Sequence, residues 1–129
     1  MTLFIDTSVW SLAFRRDKVP PAREVAALIE AIKSGEPLVT TGLVLQEILQ
    51  GFSGPKARTV ILDRFSAVAL VVPDRDDHVE AAELRNRCRR DGVQVGTIDV
   101  LLAQLCIRHD LPMLTSDNDF RRIADRSTL

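Results

Sequence analysis

Asp6, Glu47, Asp99 and Asp117 are the side chains in this 129-residue chain best placed to do chemistry. Each stands at the mouth of a separate segment. Asp6 follows the apolar run 2–5, and Glu47 lies on the helix expected after the run 38–40. Asp99 opens the apolar stretch 100–107, and Asp117 follows the run 113–115. Four carboxylates aimed at one end of a small sheet repel one another by roughly 4 kcal/mol per pair at ~4 Å in a typical protein dielectric. Such a cluster persists only with a positive partner. That requirement points to a hard divalent cation and to chemistry on phosphate. Thr7, Ser8, Thr97 and Thr115 stand beside the acids, where hydroxyls can hold carboxylates or metal-bound water. Asp119, two residues past Asp117, can join or flank the set.

Each of these residues also has a plainer reading. Aspartate is a favoured helix N-cap, worth about 1 kcal/mol over alanine. Asp6, Asp99 and Asp117 all stand where a cap is wanted, and the four hydroxyls suit caps and strand ends equally well. Glu47 needs no cap and has Gly51, not a cation, four residues on. Its plain reading is a helix-edge glutamate with its head in solvent. What favours a site over four separate coincidences is their joint occurrence.

The elements that must position these residues follow from periodicity. Runs 2–5, 37–40, 68–72 and 112–115 read as short buried strands, with 127–129 as a ragged fifth. Helices are expected at 9–14, from Pro21 to about 34, from Gly42 to Gly51, from Pro55, over 76–90, over 100–107 and after Asp117. Their inward faces are Val25, Leu28, Ile29 and Ile32; Val44, Leu45, Ile48 and Leu49; Ala57, Val60, Ile61 and Phe65; Ala81, Leu84 and Cys88; Ile98, Leu101, Leu102, Leu105 and Cys106; and Phe120, Ile123 and Ala124. Strands alternating with helices mean an α/β fold, a parallel sheet with helices on both faces. Ligands bind outside the carboxyl ends of such strands. Asp6 and Asp117 belong at that edge, and Glu47 follows the second strand. Asp99 reaches the edge only if its helix leans across it. No linker, repeat or low-complexity stretch interrupts residues 1–129, so one domain is expected.

Composition narrows the setting. Hydrophobic residues at 46% suffice for a core, and a formal charge of −1 neither favours nor excludes a nucleic-acid partner. Cys88 and Cys106 lie outside any CxxC spacing, which reads as reduced thiols rather than a zinc site. The start MTLFID is too short and acidic for a signal peptide, and no apolar stretch approaches the ~20 residues of a membrane span. A soluble, cytoplasmic protein with no membrane partner is expected.

The motifs FIDTSVW, the helix bearing Glu47, GTIDVLLAQL and LTSDNDF resemble, in order, those of PIN-domain ribonucleases, and most of all the VapC toxins of VapBC toxin–antitoxin pairs. The resemblance runs nearly end to end. It implies a PIN-like three-layer sandwich with four to five short strands, and Mg²⁺- or Mn²⁺-dependent endonuclease activity on RNA, tRNA or rRNA among the structured substrates. It places Asp6, Glu47, Asp99 and Asp117 on the family's acidic quartet and Asp119 on a position that is often acidic. It also implies a homodimer and a cognate VapB-type antitoxin, whose helix would dock near Glu47 and the helix 57–65. Because Mg²⁺ keeps several waters, Asp6 and one or two of Asp99 and Asp117 are the expected direct ligands, with Glu47 binding through water or orienting the attacking water.

Arg85, Arg87, Arg89 and Arg90 crowd one helix. They read either as a phosphate track for RNA, with Arg85 and Arg89 the candidates, or as a solvated face favouring the helix C-terminus. Arg15, Arg16 and Lys18 form a second patch. His78 and His109 read as surface residues, and Trp10 as core rather than as an interaction surface. The chain has no Tyr, so no base-stacking platform is evident and recognition by RNA shape and phosphate is expected. Two other functions fit parts of the pattern. A Mg²⁺-binding phosphoacceptor signalling domain would need an acidic pair after the first strand and a late Lys, yet no Lys follows Lys56. A PIN-like scaffold that binds without cutting would not need all four acids.

Overall fold

The structure is a computed structural model that describes residues 1–15 and 23–129. Pro21 and the Arg16 and Lys18 of the second basic patch lie outside the described residues. The chain forms two compact units, Met1–Val71 with Met113–Ser116, and Val72–Pro112 with Asp117–Leu129.

The first unit holds a parallel sheet of four strands in the order β3-β2-β1-β4: β1 (Leu3–Ile5), β2 (Leu38–Thr40), β3 (Ala69–Leu70) and β4 (Met113–Leu114). Leu3 pairs with Leu38, Phe4 with Met113 and Val39 with Ala69, so the register is continuous across the sheet. The chain steps from β1 to β2 to β3 in one direction, and β4 then adds on the other side of β1. The reversal between β1 and β4 creates a crevice at the carboxyl ends of these two strands. The expected fifth strand at 127–129 is not formed, because those residues follow the last helix without a ladder partner among the described residues.

Four helices belong to this unit: α1 (Thr7–Phe14), α2 (Arg23–Lys33), α3 (Gly42–Gly51) and α4 (Pro55–Phe65). Asp6 caps α1 and Thr41 caps α3 through their side chains. Pro55 occupies the first turn of α4, where its missing N–H has no helical partner to lose. Leu28, Val44, Ile48 and Ile61 are buried as their periodicity predicts. Ile29, Ile32 and Val60 are not: they are 41%, 55% and 36% exposed and line an open groove instead of the core. Their stripes are wider than the face each helix buries, and periodicity alone does not say where burial stops. β3 is likewise shorter than its β-branched run suggests, with Leu70 and Val72 exposed at a sheet edge.

The second unit holds α5 (Arg75–Arg90), α6 (Thr97–Arg108) and α7 (Asn118–Ala124), making seven helices among the described residues. A reciprocal capping box of Asp74 and Asp77 starts α5. Gly92 ends it with φ +77°, a conformation that only glycine adopts without strain. Ala81, Leu84 and Cys88 on α5 and Leu101, Leu102, Leu105 and Cys106 on α6 are buried, but Ile98 is 38% exposed in the first turn of α6. Asp77 is wholly buried, with its two oxygens each 2.6 Å from a nitrogen of Arg108. This fork bolts the start of α5 to the end of α6. Neither residue stands out in the sequence as a pair, because 31 positions separate them.

Candidate active site

In the first unit the crevice between β1 and β4 is where Asp6 sits. Its backbone N–H donates to the carbonyl of Leu114 (3.0 Å), which extends the ladder by one residue and fixes the start of α1 against the end of β4. The side chain is 4% exposed. Three donors converge on its Oδ2: the Ser8 hydroxyl at 2.7 Å, the Thr115 hydroxyl at 2.8 Å and the Ser8 backbone N–H at 3.4 Å. No hydrogen bond falls on Oδ1 among the described residues. Asp6 is therefore a helix cap and more than a cap, since a cap needs only one of those donors. The backbone N–H of Ser116 donates to Ser8 Oγ at 3.0 Å, a link in this network that the sequence did not suggest.

Glu47, on α3, accepts a 2.9 Å hydrogen bond from the Thr7 hydroxyl through Oε1. It is half-buried rather than extended into solvent. Thr7 and Ser8 thus hold two different carboxylates from adjacent positions, Thr7 that of Glu47 and Ser8 that of Asp6. The sequence marked both hydroxyls but not which acid each would serve.

In the second unit Asp99, Asp117 and Asp119 come together. Each offers a carboxylate oxygen, and the three lie within 4.8 Å of one another. Asp99 does not occupy the cap position of α6. The cap position is Gly96, which makes no side-chain bond, and Asp99 stands in the first turn, near the positive end of the helix dipole. Asp117 caps α7 and accepts the backbone N–H of Asp119 at 2.9 Å. Asp119 also faces Arg122 at 3.4 Å. Asp119 is a full member of this group, where the sequence left it to join or flank.

The donor set suits a hard cation. Three carboxylate oxygens and no sulfur or imidazole fit Mg²⁺ or Mn²⁺, whose ligands stand at ~2.1 Å and so at most about 4.2 Å apart. Closing by a few tenths of an ångström brings all three oxygens into range. Thr97 lies at the start of α6 and borders a hollow on the α5–α6 hairpin with His78, Arg85 and Asn86.

The arginines of α5 divide into different roles. Arg87 donates to the carbonyl of Arg126 (3.2 Å), and Arg126 faces Asp91 at 3.2 Å, which joins the ends of α5 and α7. Arg85 donates through Nε to the carbonyl of Val95 (3.0 Å). Arg89 and Arg90 are exposed.

A second feature of the first unit is a largely apolar groove of about 370 Å³ between α1, α2 and α4, lined by Trp10, Phe14, Ile29, Ile32 and Val60, with Arg64 its one charged residue among the described residues. Trp10 is 5% exposed, so its reading as core holds, yet one edge forms the groove wall. Trp10, Phe14, Phe52 and Phe65 pack ring against ring there, with Trp10 and Phe65 centroids 4.7 Å apart.

Residues 3–126 match the family model described as PIN domain. No curated protein matches the chain. Solved structures similar to it include VapBC-1 of nontypeable Haemophilus influenzae, 17% identical, covering 97% of this chain and 94% of that one with a TM-score of 0.75. VapBC2 of Rickettsia felis, solved bound to a DNA fragment from its promoter, is 20% identical over 95% and 92% of the two chains, with a TM-score of 0.74. VapC20 of Mycobacterium tuberculosis, a toxin that cleaves the sarcin–ricin loop, is 18% identical over 92% of each chain, with a TM-score of 0.68.

Proposed function

The chain belongs to the PIN-domain family, and from that premise we propose that it is a Mg²⁺-dependent endoribonuclease, the toxin of a VapBC-type pair. The observation that carries the reading is the group of three carboxylates, Asp99, Asp117 and Asp119, within 4.8 Å of one another in a chain that matches a nuclease family over residues 3–126. Asp6, Glu47, Asp99 and Asp117 are the proposed catalytic set, with Asp99 and Asp117 as metal ligands beside Asp119 and Asp6 proposed as a further ligand. Mn²⁺ substitutes for Mg²⁺, since both take oxygen donors in octahedral geometry.

When bound, the cation lowers the pKa of a coordinated water and stabilises charge on the phosphate. The protein's own residues do the rest. Ser8 and Thr115 hold Oδ2 of Asp6, which keeps its other oxygen directed as a ligand. Thr7 holds one oxygen of Glu47 and leaves the other to accept a proton from the attacking water. The water oxygen forms the new bond to phosphorus, the bond to the leaving ribose oxygen breaks, and that oxygen takes up a proton from solvent while Glu47 returns its own to solvent. The substrate is structured RNA, tRNA or rRNA. Support for this comes from the aromatic side chains: Phe4 and Phe120 are buried, and Phe14, Phe52, Phe65 and Trp10 pack on one another, which leaves shape and phosphate as the means of recognition.

The proposed partner is a VapB-type antitoxin that lays an apolar helix in the groove of Trp10, Ile32 and Val60, with an acidic residue for Arg64. A homodimer and a cytoplasmic site of action complete the reading, to be checked by light scattering and by fractionation.

The deciding experiment compares Asp6→Asn and Asp99→Asn with the native chain. Both variants should lose RNA cleavage and growth arrest while keeping the native circular dichroism spectrum. Retained cleavage in both sinks the proposal.

A further inference from the structure

The hairpin of α5 and α6 carries a basic feature that the acidic residues do not account for. Arg85 lines two separate hollows. One, about 260 Å³, is also lined by His78, Asn86 and Thr97. The other, about 250 Å³, is also lined by Arg89, Val93, Gln94 and Val95. Among the described residues no carboxylate lines either hollow. Each of their polar side chains can donate a hydrogen bond: one guanidinium, an imidazole, an amide and a hydroxyl in the first, two guanidinium groups and an amide in the second.

Arg85 is held in place between them. Its Nε–H donates to the carbonyl of Val95 at 3.0 Å, which anchors the planar fork, and the two terminal nitrogens carry four further N–H donors. Anchoring removes rotamer freedom before any ligand arrives, so less is lost on binding than with a free arginine. Arg89 lies one turn further along the same face of α5. Its neighbour Arg87 is engaged with the carbonyl of Arg126, on a different face. Thr97, on the rim of the first hollow, is two residues before Asp99 on the same helix.

We propose that Arg85 and Arg89 form a two-phosphate clamp that holds consecutive phosphates of the RNA strand in these two hollows, leading the strand along α6 to Asp99. This rests on the ribonuclease reading above. It selects two of the four arginines on α5 and makes Arg85 the one shared by both phosphates.

The test measures binding apart from cleavage. A fluorescein-labelled RNA hairpin is titrated with the full-length chain in EDTA over a series of salt concentrations, and its integrity is checked on a gel. The variants are Arg85→Gln, Arg89→Gln, both together, and Arg90→Gln as a same-helix control that lines neither hollow. The double variant should bind at least about 10-fold more weakly, and the slope of log affinity against log salt should fall by about 1.5, for two phosphates at ~0.7–0.9 each. Arg90→Gln should stay within about 2-fold of native. Arg85→Gln also removes the bond to Val95, so Arg89→Gln, which removes no bond within the fold, should by itself lower the slope by roughly half that amount.

An unchanged slope in the double variant, an equal loss in Arg90→Gln, failure of the native chain to bind, or competition by polyglutamate as strong as by unlabelled RNA would overturn the clamp. Cleavage assays separate this from the function itself. A double variant that cuts RNA like the native chain with an unchanged slope ends the clamp and leaves the nuclease. Binding through Arg85 and Arg89 by a chain that cuts no RNA ends the nuclease reading and leaves the clamp.

Discussion

Single hydroxyls decide how the carboxylates of the first unit are presented. Thr7 donates to Glu47 and Ser8 to Asp6, so one dipeptide orients two acids carried by different elements. Hydroxyls of this kind tune a site without touching substrate, and losing one typically costs 10–100-fold in activity or metal affinity. Thr7→Val preserves shape and removes only the donor. It should lower kcat/KM on RNA by roughly 10- to 100-fold with no change in melting temperature beyond about 1 kcal/mol of stability. Native activity in Thr7→Val would show that Glu47 needs no such support. Asp99 makes the complementary point. The sequence offers it at the cap position, but the helix begins at Gly96–Thr97 and places Asp99 in the first turn.

Among the elements, α5 and α6 depend on a pair that periodicity cannot reveal. Burial raises the pKa of Asp77, but the hydrogen bonds and charge of Arg108 and the backbone N–H of Asp74 outweigh it, and the carboxyl lies below its ordinary value. The opposite effect holds Arg108 above its own, chiefly through its bond to Asp77. A carboxyl depressed in the folded state contributes stability that is fully present above its unfolded pKa of about 3.9 and is lost as pH falls through the folded value. The native chain should therefore lose melting temperature below about pH 4. Asp77→Asn should be less stable at pH 7 by about 2 kcal/mol and show a shallower decline in acid. Parallel acid limbs for the two proteins would remove Asp77 from the account. The same element scale explains α2 and α4, whose apolar stripes exceed their buried faces because Ile29, Ile32 and Val60 line the groove.

At the scale of the whole molecule, neither compact unit is a continuous stretch of chain. Residues 113–116 belong to the first unit although they lie between α6 and α7 of the second. The chain crosses between units three times, and β4 completes the sheet only after α5 and α6 have been traversed. We expect residues 1–129 to behave as one domain: calorimetry should show a single transition with equal van't Hoff and calorimetric enthalpies. Two resolved transitions would contradict this. The groove supplies a separate test of partner binding. Ile32→Asp places a charge where an apolar helix would dock, and it should abolish antitoxin binding while RNA cleavage by the free toxin stays within about 2-fold. A variant still inhibited by the antitoxin would move that interface elsewhere. No helix among the described residues is long and apolar enough to cross a membrane.

Much of this protein was determined by local sequence. Alternating apolar runs specify strand and helix because backbone geometry has only two periods to offer, and among the described residues four strands and seven helices stand close to where those periods place them. The acids were legible for a similar reason: residues after a strand or at a helix start are placed by the element they adjoin. Tertiary structure decided what sequence distance conceals. It set Thr115 on Asp6 across 109 positions and Arg108 on Asp77 across 31, and it brought Asp119 into the group with Asp99. It also separated the arginines of α5 into one held by Val95, one engaged with Arg126, and two left exposed. Periodicity reports which face of an element is apolar. Only packing determines which part of that face is covered and which polar groups meet.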